Sequence, residues 1–422
     1  MKLNKILLAM AASGLATSAF ATNGYFSHGN GMTAKGMAGA ATAVAKDSFG
    51  GANNPATMVW VGNRYDVGVD AFSPVRAASR AGGAAGGPYA PSITSGTSNS
   101  DNELFGVPEF GYNKMINDNM SVGVTVYGNG GMNTDYATTG GVNLLNGTTA
   151  LGVDLMQLVV APTVSYKVND RTSVGASALL GYQRFAASGL QFFAGFTTSG
   201  TTRNLTDVGY DDASGIGARF GVQHKLNNQV SLGAAYATKV NMSKFGKYSE
   251  LFAEQGDFDM PANWNVGIAI QPNDNLTLAI DFQHIAYSDV KSIANSSKNS
   301  GALGTDNGRG FGWSDMDVAK LGIEYKYNPK MTLRFGYSHA DSPIQARDVT
   351  FNILAPAVVE DHITVGMTYV LDKDSDLTVS YAHALENSLS GASLLTDFGA
   401  TGGTETIKMH QNAIGVSYSK KF

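Results

Sequence analysis

The strongest constraint on the fold of this chain is a pattern of residues that recurs fourteen times along the sequence. Each segment alternates apolar residues with small or polar ones. Each is long enough for a tilted transmembrane strand, which needs about 9–11 residues to cross the hydrocarbon core of a bilayer. The fourteen segments are 63–74, 104–116, 119–129, 155–168, 171–186, 213–226, 229–242, 262–272, 275–288, 315–328, 331–341, 361–371, 375–385 and 408–422.

The alternation is clearest in one segment near the C terminus. Ile363, Val365 and Met367 fall on one face of an extended chain, whereas Thr364 and Gly366 fall on the other. Successive side chains of a strand point to opposite faces of the sheet. A period of two therefore separates a lipid-facing side from a water-facing side, as in a transmembrane barrel strand.

The connectors between these segments alternate in length. Six are tight and rich in Asn and Asp, such as Asn117-Asp118 and Asn273-Asp274, which suit hairpin turns. Short turns at one end and long loops at the other are typical of bacterial outer-membrane barrels. The pattern predicts an all-β fold, a 14-stranded antiparallel transmembrane β-barrel over residues 62–422. The seven long connectors are 75–103, 130–154, 187–212, 243–261, 289–314, 342–360 and 386–407.

Residues 1–21 have the pattern of a secretory signal peptide. Lys2 and Lys5 precede a short apolar run, and Ala19-Phe20-Ala21 is a typical cleavage site. The alternative is a buried N-terminal helix. Cleavage near Ala21 removes two Lys and no acid, which leaves 27 basic and 34 acidic residues. A net charge of −7 does not favour nucleic acid as a partner.

The C-terminal residue also points to the outer membrane of a Gram-negative bacterium. Phe422, preceded by the aromatic Tyr418, is similar to the C-terminal signal that the outer-membrane assembly machinery reads. That machinery, membrane lipid and lipopolysaccharide are therefore predicted partners.

The stretch 22–61 ahead of the first strand does not follow the alternation. It is rich in Gly and Ala, and we expect short helices around Thr33–Lys46. A segment ahead of a barrel can fold back into the lumen. We therefore expect an N-terminal plug, or hatch, inside the barrel. The alternative is a disordered periplasmic tail.

The residues show no constellation for catalysis. The chain has no Cys, and its seven His are scattered without a metal-binding spacing. The run 29–34 matches G-x-G-x-x-A by letter but follows no strand, so it does not indicate a nucleotide site. We expect no enzymatic activity, no cofactor and no metal. A barrel lipase is the alternative that a hydrolysis assay would decide.

Three motifs resemble those of the FadL family of outer-membrane transporters for long-chain fatty acids and hydrocarbons. The run 341–347 is similar to the family's Asp-Ser-Pro-Val run. The motif that closes the family's plug is matched by Asn54, Pro55 and Ala56. The motif at the kink in the family's third strand is matched by Tyr127, Gly128, Asn129, Gly130 and Gly131. The resemblance covers essentially all of the mature chain.

The resemblance implies passive transport of hydrophobic molecules, either long-chain fatty acids or aromatic and aliphatic hydrocarbons. Extracellular loops would capture the ligand, a lumenal pocket would hold it, and the strand-3 kink would release it sideways. Gly and Asn within a strand permit a bulge, and a broken ladder opens a gap in the wall. Two alternatives are open. Residues 128–131 simply begin the next loop, or the barrel is a general diffusion porin for small polar solutes.

Two long loops contain apolar clusters, which water-exposed loops rarely do unless they pack together or bind an apolar molecule. The family has an outer groove between the corresponding loops, and its N terminus reaches the pocket. Here residues 22–29 differ from the opening of the fatty-acid members, and the two loops alternatively cap each other. The predicted substrate-binding residues are Phe192, Phe193, Phe196, Leu251, Phe252, Tyr25 and Phe26.

An acidic head group requires a cation in the lumen. Arg184 is similar in position to the family's pocket Arg, and Arg grips a carboxylate through two hydrogen bonds. Lys291 is a looser match to the family's pocket Lys. Alternatively, each is a rim cation that contacts lipopolysaccharide phosphates.

Overall fold

A computed structural model describes residues 23–85, 94–137 and 144–422, so the predicted signal peptide and its cleavage site lie outside the described residues. Fourteen long antiparallel strands form one sheet that closes on itself, because the first strand pairs with the last. The strands are β1 Arg64–Ala81, β2 Phe105–Asn117, β3 Met120–Tyr136, β4 Leu151–Lys167, β5 Thr172–Ser188, β6 Asp211–Lys225, β7 Val230–Ala237, β8 Asn263–Asn273, β9 Leu276–Ile285, β10 Met316–Asn328, β11 Met331–His339, β12 Asp361–Val370, β13 Ser375–Ala392 and β14 Thr404–Lys421.

The closed 14-stranded barrel confirms the predicted fold class. The largest extensions beyond the predicted ends are those of β1 to Ala81, β3 to Tyr136 and β13 to Ala392, and β4 and β14 begin four residues earlier than predicted. The residues in these extensions are mostly small or polar, so they lack the apolar face by which the sequence marks a strand. The sheet therefore continues past the apolar band, and the long loops that follow β1 and β3 are shorter than predicted.

The outer face of the barrel is apolar. Ile363, Val365 and Met367 of β12 are 39%, 47% and 37% exposed, whereas Thr364 between them is fully buried. The predicted alternation between a lipid-facing and a lumenal side is thus present in the strand. Within the described part of the chain, no helix has the length and apolar character that crossing a bilayer requires.

Outside the fourteen strands, the described residues contain only short elements. The predicted helices at Thr33–Lys46 reduce to one turn, α1, because Ala38 and Gly39 adopt left-handed backbone angles that end it. The helical turns are α1 Met32–Lys35, α2 Ala253–Gly256 and α3 Lys291–Ala294, with 3-10 turns at Pro55–Trp60, Gln191–Phe196, Gly246–Tyr248, Tyr287–Asp289, Ala346–Asp348, Phe351–Ile353 and Leu394–Phe398. Short strands lie at Ala84–Ala85, Gly96–Asn99, Asn241–Met242 and Ala400–Thr401.

Residues 23–61, here called the N-terminal segment, lie inside the barrel. The backbone N–H of Ala38 donates to the Thr364 hydroxyl of β12 at 3.0 Å. The backbone N–H of Ala41 donates to the Asp281 carboxylate of β9 at 2.9 Å. Further bonds reach β1, β2, β4, β5 and β6 on the opposite wall. The segment therefore occupies the lumen across its width.

Ion pairs, one buried at Lys35 and one half-buried at Lys46, also hold the N-terminal segment. The Lys35 ammonium lies 2.9 Å from Asp70 and 3.3 Å from Glu109, and Lys46 lies 2.8 Å from Glu324. Burial alone would lower the pKa of Lys35, but the Asp70 and Glu109 carboxylates outweigh it and hold that pKa above its ordinary value. Loss of one partner of a buried pair costs about 3–5 kcal/mol. The segment is therefore anchored by charge.

Candidate functional site

Strand β3 contains a β-bulge at the predicted kink. The register of its pairing with β4 shifts between Gly128 and Gly130, so Asn129 is an extra residue. Beyond the bulge, β3 continues to Tyr136. Residues 128–131 thus lie within the strand rather than at the start of the following loop.

On its other edge, β3 stops pairing with β2 just before the bulge. The ladder between β2 and β3 runs from the periplasmic turn up to the pair Phe110–Val126 and ends there. Strand β2 nevertheless continues along β1 to Phe105. Above Val126, apart from one isolated bridge near its outer end, β3 pairs with β4 alone among the described strands. The hydrogen-bond ladder of the wall is therefore open beside residues 127–131.

The N-terminal segment supplies the missing backbone partners at the bulge. The N–H of Ser27 donates to the Asn129 carbonyl at 3.2 Å, and the N–H of Gly131 donates to the Tyr25 carbonyl at 3.2 Å. A Cβ at Gly130 would lie 1.8 Å from that Tyr25 carbonyl oxygen, so only Gly allows this approach. The bulge and the N-terminal segment therefore form one unit.

An aromatic cluster surrounds the start of the N-terminal segment. The fully buried ring of Tyr25 lies 5.3 Å from Phe26, 5.2 Å from Tyr287, 6.0 Å from Trp313 and 6.1 Å from Phe258, measured between ring centres. The Tyr25 N–H also donates to the Tyr287 hydroxyl at 3.1 Å. The cluster thus contains both predicted N-terminal residues. Its loop members were missed because they are far apart in sequence and share no spacing.

An apolar cavity lies above this cluster, under the extracellular loops. Three of the predicted residues, Phe193, Leu251 and Phe252, line it together with Leu190 and Phe351. Its volume is about 30 Å³, whereas an apolar cavity of about 150 Å³ accommodates benzene. The loops therefore pack closely, and an apolar ligand enters only when their side chains move apart.

The other two predicted loop residues do not line this cavity. The 3-10 turn at Gln191–Phe196 directs Phe193 inward, whereas Phe192 and Phe196 pack on Phe398 of the last long loop at 5.7 and 4.4 Å between ring centres. Both rings are half-buried at the outer surface. They form the outer cover of the cavity rather than its lining.

Arg184 does not point into the lumen. Its neighbours Gln183 and Phe185 on β5 are buried on the inner face, so Arg184 faces outward by the alternation of the strand. Its guanidinium lies 4.3 Å from the ring centre of Tyr210 and 3.7 Å from Asp212, and its side chain is 46% exposed. The expectation of a lumenal Arg184 is therefore wrong.

Lys291 is likewise outside the pocket. Its ammonium lies 3.0 Å from Glu254 on the loop surface, and both side chains are exposed. The cation that does line the apolar cavity is Arg309, which donates to the Ser297 carbonyl and lies 5.3 Å from the ring centre of Phe398. Burial lowers the pKa of Arg309. The sequence pattern missed it because it lies in a loop without periodicity.

A second, polar cavity of about 40 Å³ lies between the N-terminal segment and the wall. It borders Tyr127 and Asn129 at the bulge, and Arg219, Lys320 and Asp281 supply charged groups from three strands. No sequence motif brought these strand residues together. Their common position follows only from closure of the barrel.

The Asn54-Pro55-Ala56 motif has a structural role at the base of the N-terminal segment. The Asn54 side-chain oxygen accepts from the N–H of Ala56 at 3.1 Å, and its amide donates to the Val222 carbonyl of β6 at 3.0 Å. The Ala56 carbonyl in turn accepts from the Ser173 hydroxyl at 2.7 Å. With Pro at the first position of the 3-10 turn, the motif fixes the segment to the wall.

Comparisons with solved structures show the same fold. The toluene transporter TodX of Pseudomonas putida superposes with a TM-score of 0.68 at 21% identity, over 94% of this chain and 99% of that one. A FadL homologue of Pseudomonas aeruginosa superposes with a TM-score of 0.71 at 16% identity, over 94% and 100% of the two chains.

Sequence comparison agrees with the structural likeness. The long-chain fatty acid transport protein of Escherichia coli strain K12 is 23% identical over 322 residues, which are 66% of this chain and 70% of the relative. These relatives are transport proteins rather than enzymes. The profile of the family described as outer membrane protein transport protein (OMPP1/FadL/TodX) matches residues 8–422. The chain therefore belongs to this family of outer-membrane transport proteins.

Proposed function

We propose that this barrel transports hydrophobic molecules passively across the outer membrane of a Gram-negative bacterium. Relatives are named for the transport of long-chain fatty acids and of toluene, so the cargo belongs to fatty acids or to aromatic or aliphatic hydrocarbons. The ligand is captured on the extracellular loops, passes to a lumenal pocket and leaves sideways at the β3 bulge.

Capture at the loops is supported by the apolar cavity and its aromatic cover. Lipopolysaccharide resists apolar solutes, and water dissolves them poorly. A ligand that separates Phe192 and Phe196 from Phe398 exchanges contact with water for contact with rings. Burial of apolar area contributes roughly 25 cal/mol per Å². The loops therefore favour an apolar ligand over a sugar.

A line of aromatic rings leads from the loops to the bulge. Phe252 lies 4.8 Å from Phe258, which lies 6.1 Å from Tyr25, and Tyr25 lies 5.3 Å from Phe26. Phe26 in turn pairs with Gly130 of β3. An apolar ligand that displaces these rings in succession stays out of water along the whole route.

The observation that carries the proposal is the coincidence of three features at residues 127–131. The β2–β3 ladder ends there, the β3 bulge lies there, and the N-terminal segment provides the backbone partners. Unpaired backbone within a membrane wall is tolerated only where protein or water covers it. Movement of Tyr25–Ser27 away from the bulge would therefore uncover a lateral opening toward lipid.

The alternative of a general porin requires a water-filled constriction. Here the lumen holds the N-terminal segment, which is tied to the wall by ion pairs and hydrogen bonds. Liposome swelling with small sugars separates the two functions. We expect negligible sugar flux, and rapid swelling would favour the porin.

The direct test is uptake of labelled oleate and of toluene by a Gram-negative host that lacks its own fatty-acid importer. Cells with the protein should accumulate at least one of the two faster than cells without it. The control is the double variant Ser27→Cys and Asn129→Cys. Its disulfide holds the N-terminal segment on the β3 bulge. Equal uptake with and without the protein would refute the proposal.

The last aromatic residue of the chain lies at the surface of the barrel. The terminal Phe422 is 57% exposed and stacks on Tyr112 at 5.7 Å. We propose that the assembly machinery reads this residue, and that membrane lipid and lipopolysaccharide surround the folded barrel.

A further inference from the structure

The gap beside the β3 bulge closes again nearer the extracellular side. The N–H of Asp101 donates to the Asp135 carbonyl of β3 at 2.8 Å, and the N–H of Asp135 donates to the Ser100 hydroxyl at 3.1 Å. The N–H of Ser100 also bonds to a carbonyl of β1 at 2.9 Å. The gap is therefore bounded at both ends. Its edges are residues 102–109 and 127–134, and it is called the lateral window below.

The two edges of the lateral window are held to different extents. The β3 edge pairs with β4 along its length. From the lumen, the Thr134 hydroxyl donates to the Leu354 carbonyl at 2.9 Å, and the Tyr136 hydroxyl donates to the Ile353 carbonyl at 3.0 Å. On the opposite edge, residues 101–104 form no strand and are exposed. The edge that can move is therefore the one that leads into β2.

Arg76 of β1 joins the two edges of the lateral window. Its side chain points into the lumen and is buried. The guanidinium donates to the Asn133 carbonyl on the β3 edge and to the Asn102 carbonyl on the opposite edge. It also lies 5.9 Å from the ring centre of Phe105, at the start of β2. Because the guanidinium is a planar fork with several donors, one side chain bridges the window from the inside.

Arg76 differs from the other arginines on the inner face of β1. Arg64 and Arg80 form ion pairs with Asp66 and Glu405. Among the described residues, no carboxylate oxygen lies within 4.0 Å of the Arg76 guanidinium, and its Nε has no partner there. A buried charge is costly unless hydrogen bonds stabilise it. The two carbonyl oxygens at the window provide those bonds, so the charge is used to hold the edges together.

We infer that Arg76 is a positioning residue that holds residues 102–104 against β3 and so fixes the outer margin of the lateral window. In the proposed release, Tyr25–Ser27 leave the part beside the bulge while Arg76 keeps the outer part closed. The distance from this margin to the Phe110–Val126 pair then limits the width of a molecule that leaves sideways. This inference rests on the proposed function and deepens it, because it names slim molecules as the cargo and the residue that selects them.

The first test measures the width of the lateral window in the full mature chain in lipid nanodiscs. The chain has no Cys, so spin labels on Glu103→Cys and Met156→Cys report one distance across the window. Met156 lies on β4 opposite Gly131, and its neighbours in the strand are buried. Arg76→Gln should lengthen and broaden this distance in pulsed electron paramagnetic resonance. An unchanged distance would overturn the inference.

Two further variants separate the bridge from a general effect on folding. Arg76→Lys keeps the buried charge but replaces the fork by one ammonium, so it should give an intermediate distance. If the neutral variant does not insert into the membrane, a wild-type distance in Arg76→Lys overturns the inference instead. Arg203→Gln, on an exposed extracellular loop, is the matched control and should leave the distance unchanged.

The second test measures selection by width in the cells of the uptake experiment. The probes are a slim and a wide molecule of the class that the wild-type protein takes up. They are oleate and a dodecanoate with a terminal pyrene, or toluene and triisopropylbenzene. Arg76→Gln should raise uptake of the wide probe relative to the slim one by about tenfold or more, the contribution of one hydrogen bond to a charged group.

A covalent bridge provides the rescue. In the Arg76→Gln background, a short methanethiosulfonate cross-link between Asn102→Cys and Asn133→Cys should return the uptake ratio to the wild-type value. A ratio that stays high after cross-linking, or one that never rises, defeats the role of Arg76 alone. Uptake of neither oleate nor toluene by wild-type cells defeats the proposed function, whereas the spin-label distance still tests whether Arg76 holds the window.

Discussion

Lys35 anchors the N-terminal segment through two buried carboxylates. Lys35→Met leaves Asp70 and Glu109 buried without their cation, at a cost of about 3–5 kcal/mol. We expect amide exchange in Met32–Lys35 to accelerate by about a hundredfold or more. Lys373→Met, at a lysine whose side chain is 89% exposed, is the control. Unchanged exchange in the Lys35 variant would contradict the anchoring role.

Asp47 makes the packing of the N-terminal segment against the barrel wall sensitive to pH. Burial and the Asp66 carboxylate raise the pKa of Asp47 to about 7, with a smaller contribution from Glu109, and Arg64 acts in the opposite direction. The folded pKa is above the ordinary Asp value of 3.8, so the folded segment prefers protonated Asp47. This stabilisation is complete below about pH 4 and is lost as pH rises through about 7.

The Asp47 prediction can be measured because the chain has no Cys. A spin label on Ala45→Cys should become more mobile between pH 6 and pH 8 in the wild-type background. The additional substitution Asp47→Asn should remove that change, because the side chain no longer ionises. A spectrum that varies equally in both backgrounds would assign the pH dependence to another group.

At the scale of elements, the bulge of β3 and the start of the N-terminal segment form one unit. In Gly130→Ala the new Cβ meets the Tyr25 carbonyl at 1.8 Å, and overpacking of this kind costs about 1–3 kcal/mol. The thiol of Ser27→Cys should then react with a water-soluble maleimide about five- to 150-fold faster in the Gly130→Ala background than with Gly130 in place. Gly106→Ala on β2, where a Cβ has open space, should leave the rate unchanged.

At the scale of the whole molecule, the outer face must meet hydrocarbon. Val365→Arg places a charge on the lipid-facing side of β12, which costs about 2–4 kcal/mol near the bilayer midplane. Urea unfolding in lipid vesicles should report this loss. Ser300→Arg, on an exposed extracellular loop, should have no measurable effect. Equal stability of the two variants would mean that β12 does not face lipid.

The sequence by itself determined the strands and their two faces, because a period of two is a local property. All fourteen barrel strands lie at predicted segments, and Ile363 and Val365 face outward as their alternation required. The same alternation also predicts that Arg184 faces outward. On β5 it lies two and four residues from the exposed Tyr182 and Leu180, so its side chain is on their face of the sheet. On a barrel strand, the alternation therefore predicts the direction of a side chain better than a resemblance in position does.

Only the tertiary structure decided which side chains meet in the lumen. Arg219, Lys320 and His28 lie on distant segments and line one cavity because the barrel closes and the N-terminal segment enters it. The gap beside the bulge likewise depends on where β2 turns away from β3. Closure of the barrel brings together residues that are not regularly spaced along the chain. The alternation of neighbouring residues therefore cannot predict these contacts.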